Sequence, residues 1–177
     1  MDYFELIRSR ESCRNFSSQP VEKEKLVACI EAARIAPSAC NSQPWGFIVV
    51  NNRELSPKVA KCVQRLRMNQ FASHCPAFIV VTENEPVLTR AASAIVNQKF
   101  APIDIGLAVM QLCLAASAQG LSTCIMGWLS EKHLKELLDI PESRHVRLVI
   151  AVGYAEEGTQ LRPKVRKDLE EIARFID

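Results

Sequence analysis

The sequence predicts an α/β or α+β fold with a central β-sheet flanked by helices. Three observations carry this. Short runs rich in β-branched residues recur at 45–50, 77–82, 122–128 and 146–154. Between them lie segments with helical spacing of apolar residues. One segment, from Ile105 to about 118, is apolar on nearly every face. With 177 residues the chain is long enough for one domain with a sizeable core and short for two. A single domain over 1–177 is expected, with no internal repeat and no linker.

In order along the chain, residues 2 to 9 read as a short helix carrying Phe4, Leu6 and Ile7. The turn-rich SSQP at 17–20 leads into a helix over 21–35, where Val21, Leu26, Val27, Ile30, Ala33 and Ile35 recur at helical spacing. The loop PSACNSQP follows, then the strand WGFIVV. Residues 54–66 read as helix, and AFIVVT at 77–82 as a buried strand. The stretch 83–103 is the least regular, with a short helix over 89–98. Asp104, just after Pro102, reads as the N-cap of a long helix running to 118. A helix apolar all round must be buried all round, and a second copy of the chain is the natural cover for the side a sheet cannot reach. STCIMGW is the third strand, EKHLKELLDI an amphipathic helix, VRLVIAVGY the fourth strand, and a basic segment from Leu161 closes the chain.

The charge balance is near neutral, with 22 Lys and Arg against 20 Asp and Glu, and the two signs are mixed. That gives no basic face for nucleic acid. The seven cysteines are odd in number and none forms a C-x-x-C pair. No metal site is expected. With no signal-like apolar segment at the start, free thiols in a reducing cytoplasm are expected. The uncharged run from Ile105 to Ser130 is long enough to cross a bilayer. Gln119 and Gly120 break it, so a buried helix followed by a buried strand is expected instead, with no membrane partner.

No G-x-G-x-x-G, Walker loop, H-E-x-x-H or G-x-S-x-G is present, and no nucleophile–base pair stands out. An enzyme of this kind needs a cofactor to carry its chemistry. Two stretches suggest where. RSRESCRNF at 8–16 gathers Arg8, Arg10 and Arg14, and APSACNSQPW at 36–45 is rich in turn formers and amides. The arginines suit one small anion, because guanidinium is the side chain made for bidentate, charge-assisted contact with phosphate. The alternative is that Arg10 and Arg14 pair with Glu11 or Glu5 on a surface helix, that Arg8 is a solvated charge and that the loop is an ordinary connection.

Four segments together, R-x-S-x-R-x-F at 10–16, A-P-S-x-x-N-x-Q-P-W at 36–45, D-x-G-x-A…G-L from 104 to 121 and the basic stretch leading to DLEEI, resemble the nitroreductase family of FMN-dependent oxidoreductases. The resemblance implies an intertwined homodimer with a mixed sheet in each subunit and FMN in the interface. It implies cofactor-binding roles for Arg10, Ser12 and Arg14, with the first arginine and the serine near the phosphate and ribityl chain and Arg14 near the pyrimidine edge. Lys164 and Arg166 return toward the phosphate. Pro37, Ser38, Ala39 and Asn41 reach the flavin from the partner subunit, and the backbone of Ile125, Met126 and Gly127 passes the ring near N5. Asn69 or Gln70 supplies a polar contact to the ring. No catalytic side chain is implied. The implied activity is ping-pong hydride transfer from transient NAD(P)H to a small electron-poor acceptor such as a nitroaromatic or quinone. Reductive dehalogenation, flavin fragmentation, or a sensor or carrier role on the same fold are the alternatives.

Overall fold

The computed structural model describes residues 2–84, 94–95 and 98–176. The helix expected over 89–98 falls, but for positions 94, 95 and 98, outside the described residues.

The four runs of β-branched residues form one sheet: β1 (Trp45–Val50), β2 (Ala77–Glu83), β3 (Ser122–Met126) and β4 (His145–Gly153), ordered β1-β2-β4-β3. All three strand pairs are antiparallel. The sheet expected to be mixed is antiparallel instead; among the described residues the parallel pairing is an isolated bridge from Ser12 to Thr123 on the edge of β3. Every residue of β2 is buried, as a central strand covered on both faces requires.

Side-chain alternation divides the core into two layers. On one face Phe78, Val80, Cys124, Met126, Val149 and Ala151 pack with α3 (Ser56–Val63) and α5 (Glu131–Leu138). On the other, Ile79, Val81, Ile150 and Val152 meet α2 (Lys23–Arg34) and α4 (Phe100–Ala118). A fully buried Ile, Val or Leu contributes roughly 1.5–3 kcal/mol, so these two layers are the main stabilising mass of the fold. The first helix, α1 (Tyr3–Ser9), is closed by a capping box between Asp2 and Glu5, and the last, α6 (Leu169–Ile172), by one between Asp168 and Glu171.

Helix α4 differs from expectation at its start. It begins at Phe100 with Lys99 as N-cap, so Asp104 lies inside the helix rather than capping it. Pro102 does not delay it, because in a first turn the missing N–H has no partner to lose. The helix ends as expected at Gly120, in the left-handed region with φ 76°, where Gly120 N–H reaches Ser117 O at 3.1 Å and Leu121 N–H reaches Ala116 O at 2.9 Å. This is the Schellman arrangement, and glycine suits its left-handed residue. By length and composition α4 is apolar enough to cross a membrane, yet one side of it (Ala101, Ile105, Ala108, Val109, Leu112, Cys113, Ala116) is buried against the sheet and α2. On the other side Ile103, Leu107 and Met110 are 49%, 45% and 39% exposed.

Candidate functional site

Residues 10 to 16 leave α1 and run along the open edge of β3. Cys13 N–H donates to Thr123 O at 2.9 Å, Ser12 bridges Thr123, and Phe16 bridges Ala155. Buried Cys13 and Phe16 pin the segment to the core, while Arg14 points outward and Arg10 and Ser12 are half-buried. Arg10 lies close enough to α4 for its charge to act on Cys113, whose thiol burial pushes up while Thr123 and Arg10 pull it down. Arg14 acts likewise on Cys124, also raised by burial.

The basic C-terminal stretch comes back to this segment. Arg162 donates to Ser12 O at 2.7 Å and to the Glu11 carboxylate at 3.3 Å, and the Lys164 ammonium donates to Arg8 O. Glu11 is thus taken by Arg162, and Glu5 is occupied in the α1 cap. The surface-pairing alternative for Arg10 and Arg14 fails: among the described residues neither guanidinium has a carboxylate partner. Arg166 donates to Val165 O at 2.7 Å, a contact with its own neighbour. Sequence reasoning passed over Arg162, whose only signal was its place in the LRPKVRK run.

Downstream on the same edge, Ile125 is 39% exposed and Met126 is buried. Gly127 is exposed, and a Cβ there meets only Leu148 Cδ2 at 3.8 Å. The protein's own packing does not demand a glycine at 127, so a bare backbone is presented at the strand end. Asn69 spends its amide on Val63 O at 3.1 Å and Trp128 O at 3.4 Å, tying the 64–69 turn to the residue after Gly127.

The PSACNSQP loop is elsewhere. It precedes β1, the opposite edge strand, three strand spacings or about 14 Å across the sheet from β3. Cys40, Asn41 and Gln43 are all left-handed, with φ 51°, 52° and 44°. Ser38 organises the turn: its carbonyl accepts Asn41 N–H and its hydroxyl accepts Gln43 N–H, both at 3.0 Å. Ala39 N–H donates to the Asp104 carboxylate on α4 at 3.1 Å. Pro37 and Asn41 are exposed. Within one chain, then, Arg10, Ser12, Arg14, Lys164 and the 125–127 stretch share the β3 edge, while Pro37, Ser38, Ala39 and Asn41 sit at the other.

The largest difference from expectation is where the cleft lies and what lines it. A cleft of about 780 Å³ is lined by Phe16, Arg53, Ser56, His74, Pro76 and Glu156 among others, and by none of the twelve expected cofactor-binding residues. All seven cysteines are free, with Cys40 alone exposed. Among the described residues no group of three His, Cys, Asp or Glu is placed to hold a metal.

The subunit is thus α+β, an antiparallel sheet between two helical layers, with Arg10 and Arg14 along one sheet edge and without a carboxylate partner among the described residues. The Nitroreductase family profile matches residues 7–154, and the chain belongs to that family. A protein of Archaeoglobus fulgidus, provisionally named an NADH dehydrogenase/NAD(P)H nitroreductase, is 32% identical over 94% of this chain and 88% of its own length. Iodotyrosine deiodinase of Drosophila melanogaster is 25% identical over 96% of this chain and 68% of its own length. Among solved structures, a nitroreductase family protein of Clostridium difficile 630 aligns with TM-score 0.80 and 26% identity, over 99% of this chain and 98% of the other. A provisionally assigned nitroreductase of Exiguobacterium sibiricum, solved in complex with FMN, aligns with TM-score 0.79 and 25% identity, over 99% and 97%.

Proposed function

We propose that this chain is a cytoplasmic, single-domain, homodimeric FMN-dependent oxidoreductase that takes hydride from NAD(P)H and delivers it to small electron-poor acceptors such as nitroaromatics or quinones. The observation that carries the reading is the pair of guanidiniums at Arg10 and Arg14, without carboxylate partners, on the same sheet edge as the bare backbone of Gly127. A phosphate monoester fits this donor set, since it carries close to two negative charges and takes charge-assisted bonds.

When bound, FMN supplies the hydride-accepting and hydride-donating chemistry. The chain's residues hold and tune it. Arg10 and Lys164, with Arg166, take the phosphate, and Ser12 the ribityl chain. Arg14 sets positive charge at the pyrimidine edge, which favours negative charge accumulating there. The backbone of Ile125, Met126 and Gly127 orients the ring. Pro37, Ser38, Ala39 and Asn41 complete the site from a second copy, with NAD(P)H and the acceptor visiting in turn.

The test is the absorption spectrum of the purified protein, release and identification of its chromophore, then NADH and NADPH oxidation with and without a nitroaromatic. Flavin-type absorbance and acceptor-dependent oxidation are expected; a protein that neither carries nor takes up flavin removes the reading, and one that binds flavin with no turnover is a carrier. The similarity to iodotyrosine deiodinases favours a second reading, reductive dehalogenation at the same site. Halide release from an iodotyrosine by the reduced protein separates it from the first.

A further inference from the structure

Asp104 is out of place in α4. The residue is 5% exposed, on the side of the helix that packs into an apolar layer. No cation pairs with it among the described residues. Aspartate is a poor interior helix residue, and burying its charge is costly unless that charge is used. What the charge does is accept the N–H of Ala39 at 3.1 Å.

We propose that Asp104 is a positioning residue that clamps the 38–43 turn in the shape it presents to the cofactor; the functional half of this rests on the FMN reading above. The turn has reason to need a clamp. Three of its residues, Cys40, Asn41 and Gln43, adopt left-handed backbone without being glycine, a conformation L-residues disfavour. Among the described residues its other hydrogen bonds are local, from Asn41 N–H to Ser38 O, Ser42 N–H to Ala39 O, Gln43 N–H to Ser38 Oγ and Gln43 Nε2 to Asn41 O. They shape the turn without fixing it to anything. The Asp104 bond joins it to a rigid helix that is anchored by Ile105, Ala108 and Leu112 in the core. A carboxylate acceptor makes a stronger bond than a neutral one. Cofactor contacts made by Ser38, Ala39 and Asn41 are then preorganised before the ligand arrives, which is where affinity is gained.

The turn carries its own reporter, because Cys40 is the one exposed cysteine of the seven. The experiment measures the alkylation rate of Cys40 by iodoacetamide, read by mass spectrometry, and the dissociation constants of FMN and riboflavin, in wild type, Asp104→Ala and Asp104→Asn. In the apoprotein Asp104→Ala is expected to react severalfold faster at Cys40. It is expected to bind both flavins about tenfold more weakly, by the same factor, since a lost charge-assisted bond away from the phosphate does not distinguish them. Asp104→Asn keeps an oxygen for Ala39 and should fall between. Unchanged Cys40 rates overturn the clamp, and raised rates with wild-type flavin affinity overturn the positioning role. If Asp104→Ala does not fold, Asp104→Asn decides: values equal to wild type on both readouts overturn the proposal. A wild type that takes up no flavin removes the FMN reading instead, and the Cys40 comparison still tests the clamp.

Discussion

Arg10 and Arg14 are four residues apart, a spacing that on a helix would place them together and beside Glu11 or Glu5. The chain leaves the helix at Ser9, and Arg10 is already extended, with φ −60° and ψ 124°. That change of backbone detaches the guanidiniums from the carboxylates and hands Glu11 to Arg162. The first prediction belongs here. Arg10→Ala should weaken FMN binding by about 1.5–3 kcal/mol, the value of a hydrogen bond to a charged group, and leave riboflavin binding nearly unchanged. Fluorescence titration of the apoprotein with both flavins checks it, and equal losses would place Arg10 away from the phosphate. The arginines were legible in the sequence as a local charge cluster. Arg162 was not, because what marks it out is a contact with Ser12 across 150 positions. The left-handed residues of the 36–45 loop were also hidden, since Cys40, Asn41 and Gln43 give no glycine to signal them.

At the scale of the element, all four strands were readable because β-branched runs bounded by turn formers have few other uses, and the start of α4 was not, because Pro102 reads as a boundary when it is a first-turn residue. The same helix separates two kinds of substitution. Val109 and Leu112, at 3% and 0% exposure, face their own chain's core, so an aspartate there should prevent folding by burying an unpaired charge. Leu107 and Met110 face outward. Leu107→Asp should leave a folded chain, by circular dichroism, whose mass by light scattering is that of a monomer and whose flavin is lost. A dimeric Leu107→Asp with flavin bound would move the interface off α4. Helix α5 offers a pH test. The Glu131 carboxylate accepts Val146 N–H at 3.0 Å and pairs with Lys135 at 3.3 Å. Burial raises its pKa, but Val146 N–H, Lys135 and His145 outweigh it and the net shift is downward from 4.5. A depressed carboxylate contributes stability that is present above the unfolded value and lost as pH falls through the folded one. The stability gap between wild type and Glu131→Gln should therefore be full at neutral pH and close below about pH 4.5, the ordinary glutamate range, in denaturant titrations at several pH values.

For the whole molecule the geometry of the two sheet edges is decisive. Arg10 and the 125–127 stretch lie along β3, and the loop holding Asn41 precedes β1. Along α4 the separation is similar, since the loop is held at Asp104 while Arg10 acts on Cys113, nine positions or about 14 Å further on. A ligand that touched both Arg10 and Asn41 of one chain would have to reach from one edge of the sheet to the other. In the homodimer proposed above, a two-fold axis would shorten that reach, because the loop of one copy could meet the arginines of the other. The exposed side of α4 (Ile103, Leu107, Met110) is a surface that a second copy would cover. The test is complementation. Arg10→Ala and Asn41→Ala homodimers should each be impaired. In a mixed dimer with shared sites, one site collects both lesions and the other collects neither, so flavin occupancy and acceptor-dependent NAD(P)H oxidation should both exceed either parent. With sites built inside single chains, each site keeps one lesion and no gain appears. Differential tags establish that mixed dimers have formed, and absence of a gain in that purified species would return the 37–41 loop to the role of a simple connection between α2 and β1.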